Sequence, residues 1–168
     1  AKMSSDSTGA DIGVHLSFFE GVTIDPGVIT FGNIVDNFPH VTVHGEPGWE
    51  ISTFEMNGKD LKTLIRGIVT LKSQIGISFY GVTFKSIGID NIPYVGGLNY
   101  TFNFRVDGKR IDKKKKYTLA IPAEIAHAVK ILLPKKVQRI FPALNMTGKF
   151  YWQEMENYVK KNSPIKCL

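Results

Sequence analysis

A chain of 168 residues, 43% hydrophobic and 21% charged, has the size and balance of one soluble globular domain, large enough to bury about two-thirds of its unfolded surface. No apolar run approaches the roughly 20 residues of a membrane helix, so no transmembrane segment is expected, and the lone Cys167 excludes an internal disulfide. The formal charge of +6 suits an anionic partner, but Lys113 to Lys116, Lys135-Lys136 and Lys160-Lys161 fall at turns and helix ends, the pattern of a solvated basic surface, and no nucleic-acid-binding motif accompanies them.

Residues 1–8 are small and polar and read as a frayed helix or an ordered tail. Ile12 to Leu16 is an apolar run that fits a buried strand. Asp25-Pro26-Gly27 carries turn chemistry, and Thr30 can cap a short helix that starts at Phe31 and ends before Phe38-Pro39. Val41 and Val43 alternate with polar neighbours, Gly45-Glu46-Pro47-Gly48 turns the chain, and Trp49 to Met56 alternates again, which predicts a hairpin. Asn57-Gly58 opens a helix with Leu61, Leu64, Ile65 and Ile68 at helical spacing.

The β-branched and aromatic run from Ile75 to Phe84 predicts one buried strand. A loop with Gly88, Pro93 and Gly96-Gly97 leads to an alternating strand over Tyr100 to Val106, and Asp107-Gly108 is a strong two-residue hairpin turn. Tyr117 to Ile121 is a further strand. Pro122 to Leu133 reads as a helix with Pro in its first turn and Glu124 near its positive end, stopped by Pro134. Tyr151 to Lys161 carries Trp152, Met155, Tyr158 and Val159 at helical spacing. This order of strands and helices suits an α+β fold, a single mixed-sheet domain with packed helices over residues 1–168.

Ala10-Asp11-Ile12, then Gly27-x-Ile29-Thr30-Phe31-Gly32-Asn33, then Phe38-Pro39 form a frame that resembles the opening of the C-terminal domain of the 5′-nucleotidase family, two-domain metallophosphoesterases. Phe54, Met56, Gly58, Leu61 and Ile65 fit the family's next block. The most specific local match is Val106-x-Gly108-Lys109-x-Ile111-Asp112 followed by Tyr117-Thr118-Leu119-Ala120. The resemblance implies a nucleotide-binding domain that presents substrate to the metals of an N-terminal metallophosphoesterase domain. That domain or another protein is the partner it implies, and an extracytoplasmic location the setting.

Between the two halves of the opening frame the family usually reads N-G-G-G-I-R, whereas an ungapped register here gives Leu16, Ser17, Phe18, Phe19, Glu20 and Gly21. The family's phosphate-binding Arg falls on Gly21 and its Asn on Leu16. Its base-stacking Phe falls on Gly76, and its G-G-D-G on Ala128, Val129, Lys130 and Ile131. Guanidinium forks suit phosphate and aromatic faces suit purines, so losing both removes the expected nucleotide clamp. Phe18 and Phe19 either fill the vacated pocket with apolar side chains or, with Phe79 and Tyr80, make a new aromatic ligand-binding site. The filled pocket is favoured because aromatic side chains are more often core than platform.

No catalytic residue, metal site or cofactor is expected. The histidines His15, His40, His44 and His127 sit in none of the D-x-H, G-N-H-E or G-H-x-H arrangements that hold paired metals. His40 and His44 make at most a weak pair. No nucleophile motif surrounds Ser17 or Cys167. The chain thus reads as a substrate-binding-type domain with altered nucleotide contacts, not catalytic alone, or as a binding module that retains the fold. A third reading places the lysine clusters against an anionic surface.

Overall fold

Helix α1 (Lys2–Thr8) ends on Gly9, whose φ of 71° lets its N–H reach the Ser5 carbonyl at 2.9 Å. The computed structural model describes residues 1–16, 24–25, 27–37, 42–43, 46–75, 77–86 and 102–163. After α1 come β1 (Ile12–Leu16), α2 (Phe31–Asn37), β2 (Thr42–Val43), β3 (Glu46–Pro47), β4 (Glu50–Asn57), α3 (Gly58–Ile75), β5 (Ile77–Tyr80) and β6 (Val82–Ser86). The second half supplies β7 (Phe102–Val106), β8 (Lys109–Arg110), β9 (Lys116–Pro122), α4 (Ala123–Leu132), α5 (Lys135–Gln138), β10 (Asn145–Phe150) and α6 (Tyr151–Asn162). Phe18, Phe19, the Phe38-Pro39 stop, the loop around Gly88 to Gly97 and Cys167 lie outside the described residues.

The fold is α+β, built on a five-stranded mixed sheet of order β10-β4-β9-β1-β5. Within it β1 runs parallel to β9, and the other pairings are antiparallel. Alternation decides what each face buries. Ile12 and Val14, at most 1% exposed, lie on one face of β1, and Gly13 and His15 lie on the other. Helices α3 and α4 pack on the face of Ile12 and Val14, while α1 and α6 cover that of Gly13 and His15. Gly13 is required there, because a Cβ at that position would lie 1.9 Å from the Ala1 carbonyl oxygen.

Polar side chains of the motif residues have structural partners. The Asp11 Oδ2 accepts a hydrogen bond from the Thr118 N–H at 2.9 Å, joining the start of β1 to β9. Thr30 and Asn33 cap α2 reciprocally: the Thr30 N–H donates to Asn33 Oδ1 at 2.8 Å and the Asn33 N–H donates to Thr30 Oγ1 at 3.3 Å. At α3 the Asp60 N–H donates to Asn57 Oδ1 at 2.9 Å, and the Asn57 side-chain Nδ2 donates to Asp60 Oδ2 at 2.8 Å.

Most expected elements occupy the expected residues, including the β7–β8 hairpin, where Asp107 and Gly108 have φ of 48° and 73°. Three expectations change. The single strand from Ile75 to Phe84 becomes the end of α3 followed by two strands, because Gly81 turns at φ 85° against the Asp11 carbonyl; β5 joins the central sheet, while β6 pairs with β7. Glu46 and Pro47 pair with Thr42 and Val43, and β4 enters the central sheet between β9 and β10, so the hairpin does not include Trp49 to Met56. The N-terminal segment is a docked helix, with Met3, Ser4 and Ser5 buried. β10 and α5 escape sequence patterning: β10 is an edge strand with no residue fully buried, and α5 is one turn after Pro134.

Candidate functional site

Because β10 is antiparallel to β4, and β4 to β9, β10 runs in the direction of β9 and β1. The carboxyl ends of three strands therefore meet at one edge of the sheet, the position where open sheets commonly take ligands. Each strand delivers a distinctive side chain there: β1 carries His15 near its end, β9 leads into Glu124 of α4, and β10 leads into Tyr151 and Trp152 of α6. Trp49 precedes β4 at the same edge.

These residues are linked in series. The His15 imidazole stacks on the Tyr151 ring, with centroids 4.9 Å apart and planes 15° from parallel. The Tyr151 N–H donates to the Trp49 carbonyl at 3.0 Å, and the Trp49 N–H donates to Glu124 Oε1 at 3.2 Å. Trp49 is 4% exposed and held at φ 62°, a left-handed conformation that side-chain-bearing residues seldom adopt. Phe31, the first residue of α2, meets Trp152 edge to face at 6.0 Å. Glu124 Oε2 and Trp152 Nε1 are buried and have no hydrogen-bond partner among the described residues.

Among the described residues of this series, no side chain offers a positive charge to an anion. Burial lowers the His15 pKa to about 3, so the ring is neutral at ordinary pH. The nearest charged side chain in this series, Glu124, is acidic. Chemically the edge offers packed aromatic rings and hydrogen-bonding atoms, with no guanidinium fork among the described residues of the series. Among the described residues, no three His, Cys, Asp or Glu side chains group closely enough to hold a metal ion, so the residues described do not fit a metal centre.

The residues singled out from sequence are placed apart. Phe79 pairs with Val14 and packs against the core, whereas Tyr80 pairs with Gly13 on the opposite face. Tyr80 is also at the far end of β1 from Leu16, the residue that pairs with Ile77. It is 39% exposed, and the Lys2 ammonium lies 5.0 Å from its ring centroid and 5.7 Å from that of Tyr158. An ion pair with Asp6 anchors that lysine and raises its pKa. Beside it a cleft of about 140 Å³ runs between α1 and α6, lined by Met3, Asp6, Glu154, Tyr158 and Lys161 among others. Phe18 and Phe19 lie outside the described residues.

Sequence reasoning did not group His15, Trp49, Glu124 and Tyr151, because their proximity depends on strand order. The usable local signals were an isolated histidine at the end of an apolar strand and aromatic residues at the entrances to β4 and α6.

No family model matches the sequence, and no curated protein matches it. Solved structures do resemble it. The 5′-nucleotidase precursor of Thermus thermophilus matches 94% of this chain at 15% identity with a TM-score of 0.65. The NAD nucleotidase of Haemophilus influenzae matches all of it at 13% identity with a TM-score of 0.66. A putative 5′-nucleotidase of Staphylococcus aureus matches 98% at 14% identity with a TM-score of 0.63. The chain spans only 30%, 30% and 33% of the length of these proteins. The shared region is their C-terminal portion, so the chain has the fold of a 5′-nucleotidase C-terminal domain.

Proposed function

Starting from that fold, we propose that the chain is the substrate-side domain of a 5′-nucleotidase-like protein, altered in its nucleotide contacts and inactive as a hydrolase by itself. The observation that supports this reading is a split within one short stretch. Asp11 and the Thr30–Asn33 cap keep the frame in structural use, while Leu16 to Gly21 replaces the family's N-G-G-G-I-R, leaving Gly21 at the position of the phosphate-binding Arg. Glycine has no side chain to offer a phosphate, and a neutral His15 does not supply the missing charge.

Under this reading hydrolysis needs a metallophosphoesterase domain, in the same polypeptide or as a separate protein, and the setting is extracytoplasmic. Among the described residues no helix is long and apolar enough to cross a membrane. The second reading, a non-enzymatic binding module, is favoured by the ring-on-ring packing of His15 with Tyr151 and of Phe31 with Trp152. The His15–Tyr151 stack occupies with the protein's own rings part of the edge where a base would need an open face.

The test is thermal unfolding with AMP, adenosine and ATP, joined to a phosphate-release assay with divalent metal. We expect no midpoint shift and no release by the chain alone. A saturable rise of several degrees would overturn the altered-contact reading, because ligand binding to the native state must raise the midpoint. Phosphate release by the chain alone would overturn the non-catalytic one.

A further inference from the structure

We propose that the corner between α4 and α5 is a docking surface for an anionic lipid membrane. Ile131 and Leu132 end α4 with 77% and 52% of their surface exposed, although Leu133 beside them is buried. Two adjacent aliphatic residues are thus held in water at the tip of a helix. Lys130, Lys135, Lys136 and Arg139 are all exposed around them in sequence. No Asp or Glu occurs between Ile125 and Gln153. Among the described residues none of these four cations forms an ion pair.

The corner is built, not frayed. Gln138 Nε2 donates to the carbonyls of Leu133 and Ile131 at 2.7 and 3.3 Å, and the N–H groups of Val137 and Gln138 donate to the Pro134 carbonyl at 2.7 and 3.0 Å. Leu133 and Val137 anchor it from beneath on α3, where a Cβ on Gly67 would lie 3.0 Å from Leu133 Cδ2. With those two turned inward, Ile131 and Leu132 face outward.

Charge complementarity and the aliphatic pair together select the occupant. A polyanion such as nucleic acid would satisfy the lysines and leave Ile131 and Leu132 in water. A bilayer interface offers headgroup phosphates to the cations and hydrocarbon to the aliphatics at the same depth. The excess of +6 over the whole chain steers approach to such a surface.

The experiment is co-sedimentation of the chain with vesicles of phosphatidylcholine alone or mixed with phosphatidylglycerol, over a series of salt concentrations. We expect binding to the mixed vesicles, weakening steeply with salt, and little to the neutral ones. Lys135→Ala/Lys136→Ala should weaken partitioning about thirty-fold, from the contribution of each cation near an anionic leaflet. Ile131→Ser/Leu132→Ser should weaken it roughly tenfold through lost apolar burial. Lys113→Ala/Lys114→Ala removes equal charge from the turn between β8 and β9 and should cost several-fold less than the Lys135/Lys136 pair. All substituted side chains are exposed, and an unchanged thermal midpoint checks that each variant folds. Absence of binding to the mixed vesicles at low salt overturns the proposal. So does an equal loss in the Lys113/Lys114 variant, which would mean net charge alone, or full retention by the aliphatic variant, which would mean a polyanion site.

Discussion

The imidazole of His15 and the phenol ring of Tyr151 lie 4.9 Å apart and within 15° of parallel, at the edge where β1 and β10 both end. A neutral ring is buried there far more readily than an imidazolium, which places the relationship under the control of pH.

With a folded-state pKa of about 3 against an ordinary 6.5, the unfolded chain binds a proton between those values that the native chain refuses. The contribution of His15 to stability is therefore complete above about pH 6.5 and falls as the pH drops toward 3. At its limit the loss is on the order of 5 kcal/mol. Denaturant unfolding at pH 7.5 and at pH 5 should show this loss begin, and His15→Phe, which keeps a ring on Tyr151, should flatten the profile across that window. Parallel profiles for the two proteins would show that His15 is not the titrating group.

Gly58→Ala should destabilise although Gly58 begins a helix, where alanine is ordinarily better by up to about 1 kcal/mol. A Cβ would stand 1.9 Å from the Asp112 carbonyl oxygen, which is backbone and cannot swing aside. The same substitution would disturb the bond from the Gly58 N–H to the Lys115 carbonyl at 2.9 Å. We expect a net loss of roughly 2 kcal/mol or more, from overpacking exceeding propensity. A variant as stable as the parent in urea titration would mean that the turn between β8 and β9 yields freely.

Asp11→Ala removes the acceptor for the Thr118 N–H, a bond of 2.9 Å between residues far apart in the chain. Loss of a part-buried, charge-assisted acceptor should cost about 1–3 kcal/mol. Asp11→Asn keeps a carbonyl oxygen in place and should recover more than half of that. Hydrogen exchange at the Thr118 amide is the decisive readout: faster exchange in Asp11→Ala than in Asp11→Asn is expected, and equal rates would remove Asp11 from its bridging role.

These cases show which parts of the molecule are readable from sequence. Elements with a strong period and a chemical start signal, such as Asn57-Gly58 before α3 or Thr30 before α2, fall on their expected residues because capping and burial are local decisions. The run through Phe84 reads as one strand because its composition is uniformly β, and the break depends on Gly81 meeting the backbone of Asp11, a contact that exists only after folding. β10 gives no apolar alternation because an edge strand has less to bury. The candidate site is less legible still. Phe79 and Tyr80 are neighbours in sequence but sit on opposite faces, while His15, Trp49, Glu124 and Tyr151 meet through strand order that no local pattern encodes.

Trp49 offers the sharpest separation of two opposing energies. Its indole is 4% exposed, so truncation to alanine should cost about 3–5 kcal/mol in lost burial. Its backbone sits at φ 62°, where glycine is free of strain and every other residue pays on the order of 1 kcal/mol. Both truncations lose the indole, but only Trp49→Gly also relieves the backbone. In most loop and strand positions glycine is the worse replacement, because the unfolded chain gains entropy. Here the order should invert, with Trp49→Gly more stable than Trp49→Ala by about 0.5–1 kcal/mol, since relief of strain exceeds the added unfolded-state entropy. Urea midpoints of the two variants, compared at equal transition slopes, decide the matter. If the alanine variant is the more stable, Trp49 is not held in the left-handed conformation in solution, and the link it makes between Glu124 and Tyr151 loses its geometric basis.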